Sequence, residues 1–161
     1  MDHLWSPWRY RYITKTPPEG CVFCAKHASS DDHEALILHR GRLSFVMLNL
    51  YPYTSGHLMV APYEHVATLE GCSADAFTEM MLLGRRAESI LRAEYKPDGL
   101  NIGFNIGAAA GAGVAGHIHL HVLPRWSGDA NFLSTIGETR VIPEDLGDTY
   151  RRLKGHFEGN V

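Results

Sequence analysis

Gly116-His117-Ile118-His119-Leu120-His121-Val122-Leu123-Pro124 sets three histidines in strict alternation with aliphatic residues. Side chains of a strand point in turn to its two faces, so this period predicts a strand with His117, His119 and His121 on one face and Ile118, Leu120 and Val122 on the other. The aliphatic face belongs to a core. The imidazole face belongs to chemistry, because an ordinary solvent face would carry Thr, Lys or Glu, which have better strand propensity or lower functional cost.

Immediately before this stretch, residues 107–116 are almost nothing but Gly and Ala. Such a loop is either a plain connector or a cradle whose backbone N–H groups can approach an anion, and its position against three histidines favours contact with phosphate. Residues 100–106 read as a strand. Residues 74–95 form the longest helical pattern, with Ser73 as N-cap, Asp75 in the first turn and a stop at Lys96-Pro97-Asp98-Gly99. Phe77, Met80, Met81, Ile90 and Leu91 recur there at helical spacing and are expected in the core or in a dimer seam. Toward the N-terminus, residues 35–39, 43–48 and 57–61 read as strands, the first two joined by the tight turn Arg40-Gly41-Arg42. Beyond the histidines, residues 139–142 are expected to form a short strand and residues 143–157 a C-terminal helix.

These elements predict an α+β fold, a mostly antiparallel sheet of about five strands with one long helix and a C-terminal helix. At 161 residues, with no internal repeat and no linker, the chain is expected to be one domain over 1–161. Residues 1–20, rich in Trp, Tyr and Pro, are expected to form an irregular arm. That arm either covers the core or a neighbouring copy, or brings Arg9 or Arg11 to a phosphate chain.

A hydrophobic fraction of 45% beside 20% charged residues excludes disordered and fibrous classes. The net charge of -3 argues against a surface that coats nucleic acid, so any phosphate handled belongs to a small molecule. Nothing resembles a membrane span or a signal peptide, and the expected compartment is the cytoplasm. In that reducing setting Cys21-Val22-Phe23-Cys24 is a metal clip or redox pair rather than a structural disulfide. Either the three strand histidines bind one metal together, which is awkward on a nearly straight strand, or the two cysteines hold half of a tetrahedral zinc site that two histidines complete. Histidines left free would suit attack on phosphorus, since a neutral imidazole is a good nucleophile and a neighbouring imidazole can donate to the phosphoryl oxygens.

The stretch His117-Ile-His119-Leu-His121-Val-Leu resembles the signature of the histidine triad family of nucleotide hydrolases and transferases. Residues 55–65, Ser-Gly-His-Leu-Met-Val-Ala-Pro-Tyr-Glu-His, resemble that family's second characteristic segment. The opening Met1-Asp2-His3-Leu4-Trp5-Ser6-Pro7-Trp8-Arg9 and residues 124–132 are similar to a bacterial branch that includes diadenosine tetraphosphate phosphorylase. The resemblance implies that His119 is the nucleophile that becomes nucleotidylated and that His121 donates to the same phosphate. It implies Asn49 as a ribose partner, Asn105, Gly111 and Gly113 as phosphate contacts, and structural zinc on Cys21, Cys24, His65 and His117. Trp126 is expected either to stack on a base or to pack in the core. Many hydrolases of the family carry a Gln shortly before the triad. None stands in residues 112–116, which turns the reading toward phosphorolysis of diadenosine tetraphosphate to ADP and ATP, with the nucleotide and inorganic phosphate as substrates. A homodimer is expected. The alternatives are a polyphosphate or phosphoramidate hydrolase that uses water, and a nucleotide-binding module without turnover.

Overall fold

The computed structural model describes residues 20–131, 134, 136 and 142–158. The expected arm apart from Gly20, with Arg9 and Arg11, lies outside them, as does the expected strand 139–142 except Ile142, which is in no strand.

In chain order the described elements are α1 (Val22–Ala28), α2 (Asp32–Ala35), β1 (Ile37–Arg40), β2 (Ser44–Leu48), β3 (Leu58–Pro62), α3 (Ala74–Tyr95), β4 (Gly99–Phe104), a 3-10 turn (Ala108–Ala110), β5 (Leu120–Arg125) and α4 (Leu146–Phe157). The five strands form one antiparallel sheet in the order β1-β2-β3-β5-β4. Alternation divides its side chains as the sequence pattern requires. Val46, Leu48, Leu58, Val60, Leu120 and Val122 bury one face against α3 and α4. Ile37, Phe45, Met47, Met59 and Ala61 gather on the other with Phe23 of α1.

α3 has the predicted bounds. The Ser73 hydroxyl accepts from the Ala76 N–H at 3.3 Å, and Lys96 ends the helix in the left-handed region. Its inward stripe is Ala76, Met80, Leu83, Gly84, Ala87, Ile90 and Leu91. Phe77 and Met81, expected in the core or a seam, are exposed together with Leu82. The helix has more apolar residues than one sheet-facing stripe can use.

Several predicted bounds change for local reasons. Ala35 closes α2, whose Leu36 cap has φ 62°, so β1 starts at Ile37. α4 begins at Leu146 rather than at residue 143, because the Asp145 carboxylate accepts from the Gly147 N–H at 2.7 Å and so caps the helix there. The histidine stretch becomes a strand only at Leu120, the first residue paired to both β3 and β4. Upstream, the Ile118 N–H donates to the Val66 carbonyl at 2.7 Å instead of to a ladder partner. Among the described residues no helix is long and apolar enough to cross a membrane.

Candidate active site and metal centre

All three triad histidines are buried, and main-chain partners fix which nitrogen of His119 and of His117 carries a proton. His119 Nδ1 lies 2.8 Å from the His117 carbonyl. A carbonyl only accepts, so Nδ1 is protonated and donates, and Nε2 is left with a free lone pair. His117 Nε2 likewise donates to the Pro62 carbonyl at 2.9 Å, which frees its Nδ1.

His121 is set by a residue that the motif does not include. His57 lies at the start of β3, 1% exposed, and its Nδ1 accepts from the Tyr53 N–H at 3.1 Å. Its proton therefore sits on Nε2, which donates to His121 Nδ1 at 2.9 Å. His121 in turn must carry its proton on Nε2, as a donor. Burial, with the neighbouring His121 and His119, pushes His57 down to about 3. Burial and then His119 push His121 down to about 4. Burial also lowers His119, opposed by its bond to the His117 carbonyl. The site is thus a row of neutral imidazoles near pH 7, a lone pair on His119 beside a donor on His121, with ring centroids 4.7 Å apart.

Phe23 packs on His117 and His119 at 5.1 and 4.7 Å, and Tyr53 stacks on His121 at 5.8 Å. The histidine motif by itself points to none of His57, Phe23 and Tyr53. The available signal was period two: His57, Met59 and Ala61 alternate onto one face, and Met59 pairs with His121.

On the other side of His117 the cysteine pair converges. Its free Nδ1 lies 3.3 Å from Cys21 Sγ and 3.7 Å from Cys24 Sγ, and His65 Nδ1 lies 3.4 Å from Cys24 Sγ. The four donor atoms all lie within 4.8 Å of one another. Zinc bonds of ~2.0–2.1 Å to nitrogen and ~2.3 Å to sulfur, at tetrahedral angles, require N···S separations of about 3.5 Å, so these residues fit zinc. The bond from His117 Nε2 to Pro62 is the outer partner that orients such a ligand. Gly116 packs beside the His65 ring, where a Cβ would stand at an ordinary contact distance of 3.7 Å.

The expected substrate contacts are placed unevenly. Asn49 follows β2 beside His57, with Nδ2 3.4 Å from His57 Nδ1 and Oδ1 accepting from the Tyr51 N–H at 2.9 Å. Asn105 follows Phe104, whose partner Leu120 follows His119, so it leaves the sheet at the end of the β4–β5 ladder. Gly111, at φ +87°, lies beside it: a Cβ there would stand 4.0 Å from Asn105 Nδ2. Gly113 has open space around its Cα. Trp126 is not gathered with these groups. It follows β5 and meets Tyr95 edge-on at 6.3 Å.

A family model described as the HIT domain matches residues 31–128. The chain belongs to the HIT family. Among its HIT relatives, a Mycobacterium tuberculosis protein named AP-4-A phosphorylase is 40% identical over 95% of this chain and 83% of its own length. A Dictyostelium discoideum bis(5'-adenosyl)-triphosphatase is 32% identical over 52% of this chain and 55% of its own. Among solved HIT structures, a zinc-bound histidine triad family protein from Mycobacterium smegmatis superposes with a TM-score of 0.68 at 30% identity, covering 86% of this chain and 94% of that one.

Proposed function

We propose that this HIT protein is a nucleotidyltransferase that splits dinucleoside polyphosphates through a nucleotidyl-histidine, with diadenosine tetraphosphate and inorganic phosphate as the substrates giving ADP and ATP. The observation that carries the reading is the fixed proton arrangement of His57, His119 and His121, which leaves a nucleophilic lone pair on His119 next to a donor on His121.

In the first step His119 Nε2 attacks the α-phosphorus. The P–N bond forms as the bond to the bridging oxygen breaks, and the electron pair leaves with the nucleoside triphosphate. His121 Nε2–H donates to a non-bridging oxygen, where charge is redistributed. In the second step an oxygen of inorganic phosphate attacks the same phosphorus, the P–N bond breaks, and His119 regains its lone pair as ADP leaves. Asn49 holds the ribose, while Asn105, Gly111 and Gly113 receive the phosphates. The 40% identical relative named AP-4-A phosphorylase supports this choice of substrate.

Cys21, Cys24, His65 and His117 hold zinc in a closed set of four ligands. The ion supplies rigidity there and takes no part in either step. Burial and then Cys21 raise the Cys24 thiol, so ligation to a cation is what would keep that sulfur as a thiolate. We also assign the protein to the cytoplasm and to a homodimer. The open edge of β4, with Ile102 exposed, and the outward Phe77, Met81 and Leu82 support association of two copies.

Product analysis tests the activity. Incubation of diadenosine tetraphosphate with phosphate is expected to give ADP and ATP. Equal formation of AMP and ATP without phosphate overturns phosphorolysis in favour of hydrolysis.

A further inference from the structure

Cys21 and Cys24 meet across the first turn of α1. Cys21 is the N-cap residue and its side chain makes no capping bond, so its sulfur can turn toward Cys24, three residues on and on the same side of the helix. The two Sγ atoms lie within 4.8 Å of each other, and both residues are unbridged and partly exposed. Two neighbouring sulfurs within reach of solvent are the arrangement in which one thiol is oxidised and the other resolves it.

The sulfurs hold the end of α1 nearest the catalytic strand. At the far end Arg40 grips the His27 and Ser29 carbonyls at 2.7 Å each while pairing with Asp32 at 2.8 Å. At the near end Cys21 Sγ meets His117 Nδ1 at 3.3 Å and Cys24 Sγ meets His65 Nδ1 at 3.4 Å. Between the two cysteines Phe23, 2% exposed, lays its ring 4.7 Å from that of His119 and 5.1 Å from that of His117. The metal ligand is the thiolate. Closing Cys21 onto Cys24 therefore removes both sulfur ligands of zinc at once and leaves α1 held by Arg40 at its other end.

We infer that Cys21 and Cys24 are an oxidation site for hydrogen peroxide, whose closure to a disulfide releases zinc and loosens Phe23 from His119. One sulfur attacks a peroxide oxygen: the S–O bond forms, the O–O bond breaks, and the departing oxygen takes up a proton and leaves as water. The second sulfur attacks the sulfenic sulfur: the S–S bond forms, the S–O bond breaks, and the oxygen leaves with a proton as a second water. The sulfurs give up two electrons. The two protons come from the thiols, or from solvent where zinc holds thiolates. A dithiol reductant reverses the change by exchange. The effect on turnover rests on the reading of His119 as nucleophile, whereas the sulfur chemistry does not.

The test treats the reduced, zinc-loaded protein with hydrogen peroxide. Titratable thiols are expected to fall from three to one, the lost pair being mapped to Cys21 and Cys24 by mass spectrometry. About one zinc per chain passes to a colorimetric chelator with the same time course. The kcat on diadenosine tetraphosphate falls at least about tenfold and returns with dithiothreitol and zinc. Cys72→Ser, which leaves the pair in place, shows the same zinc release and the same reversible loss. Thiols that survive excess peroxide, sulfinate in place of the disulfide, or zinc kept by the disulfide form overturn the oxidation site. Disulfide and zinc release with unchanged kcat overturn the link through Phe23 to His119. A reduced zinc protein without turnover overturns instead the reading of His119, and the thiol and zinc readouts then decide the oxidation site by themselves.

Discussion

His57 shows how much of a reaction can depend on a side chain that is not expected to touch the substrate. The Tyr53 N–H holds its Nδ1 as an acceptor, its Nε2 proton goes to His121, and the donor that His121 offers follows from that order. Replacing His57 with Ala leaves His119 intact but removes the orientation of its neighbour. We expect kcat to fall about 10²-fold, the size of effect that a small misplacement of a reacting group produces, with KM nearly unchanged. A change confined to KM, read from steady-state kinetics, would contradict this role. His119→Ala is expected to abolish turnover while nucleotide still binds by equilibrium dialysis. That result separates an enzyme from a binding module, for which turnover would be negligible in both proteins.

Elements far apart in the chain meet at the cysteine pair. α1 supplies Cys24, its cap supplies Cys21, the loop after β3 supplies His65, and the segment entering β5 supplies His117. Zinc there would tie the short α1, which carries Phe23 onto His119, to the sheet. Cys21→Ser is expected to lose the metal and to melt at a lower temperature, whereas His121→Ala keeps about one zinc per chain; elemental analysis of both decides between this set and one built from the three triad histidines. The turn into β3 is a second such point. Gly56 has φ +76°, and a Cβ there would lie 3.0 Å from the Tyr95 ring and 3.2 Å from Leu91. Gly56→Ala is expected to cost at least about 1–2 kcal/mol, from the left-handed backbone alone, seen as a lower urea midpoint.

For the whole protein, the buried neutral histidines couple folding to pH. His57 and His121 titrate near 3 and 4 in the folded chain, against about 6.5 when unfolded. Between those values the unfolded chain binds more protons, so stability is complete above pH 6.5 and falls as pH drops toward 4. Each group contributes about 1.4 kcal/mol per pH unit in that window. Urea unfolding is therefore expected to give about 4 kcal/mol less stability at pH 5 than at pH 7, with a shallower dependence in His57→Gln. An equal slope in that variant would rule out His57 as a source.

Period two in residues 116–124, helical spacing and a cap in residues 73–95, and the strand runs between them were enough to identify the α+β class, the bounds of α3 and the face on which the histidines lie. These properties are local: strand alternation and helix periodicity are written within a few residues. The resemblance added the two cysteines and two histidines, which the fold does bring together. Other features came only with tertiary contacts. Phe77 and Met81 face outward because the sheet accommodates one stripe of α3. The strand begins at Leu120 because pairing partners on both sides begin there. The three like histidines differ because each meets a different partner: His117 the distant Pro62 carbonyl and the cysteines, His121 the distant buried His57, and His119 the nearby carbonyl that the bend at His117 turns toward it. A proton's position on an imidazole depends on the group 3 Å away in space, and spacing along the chain does not specify that group.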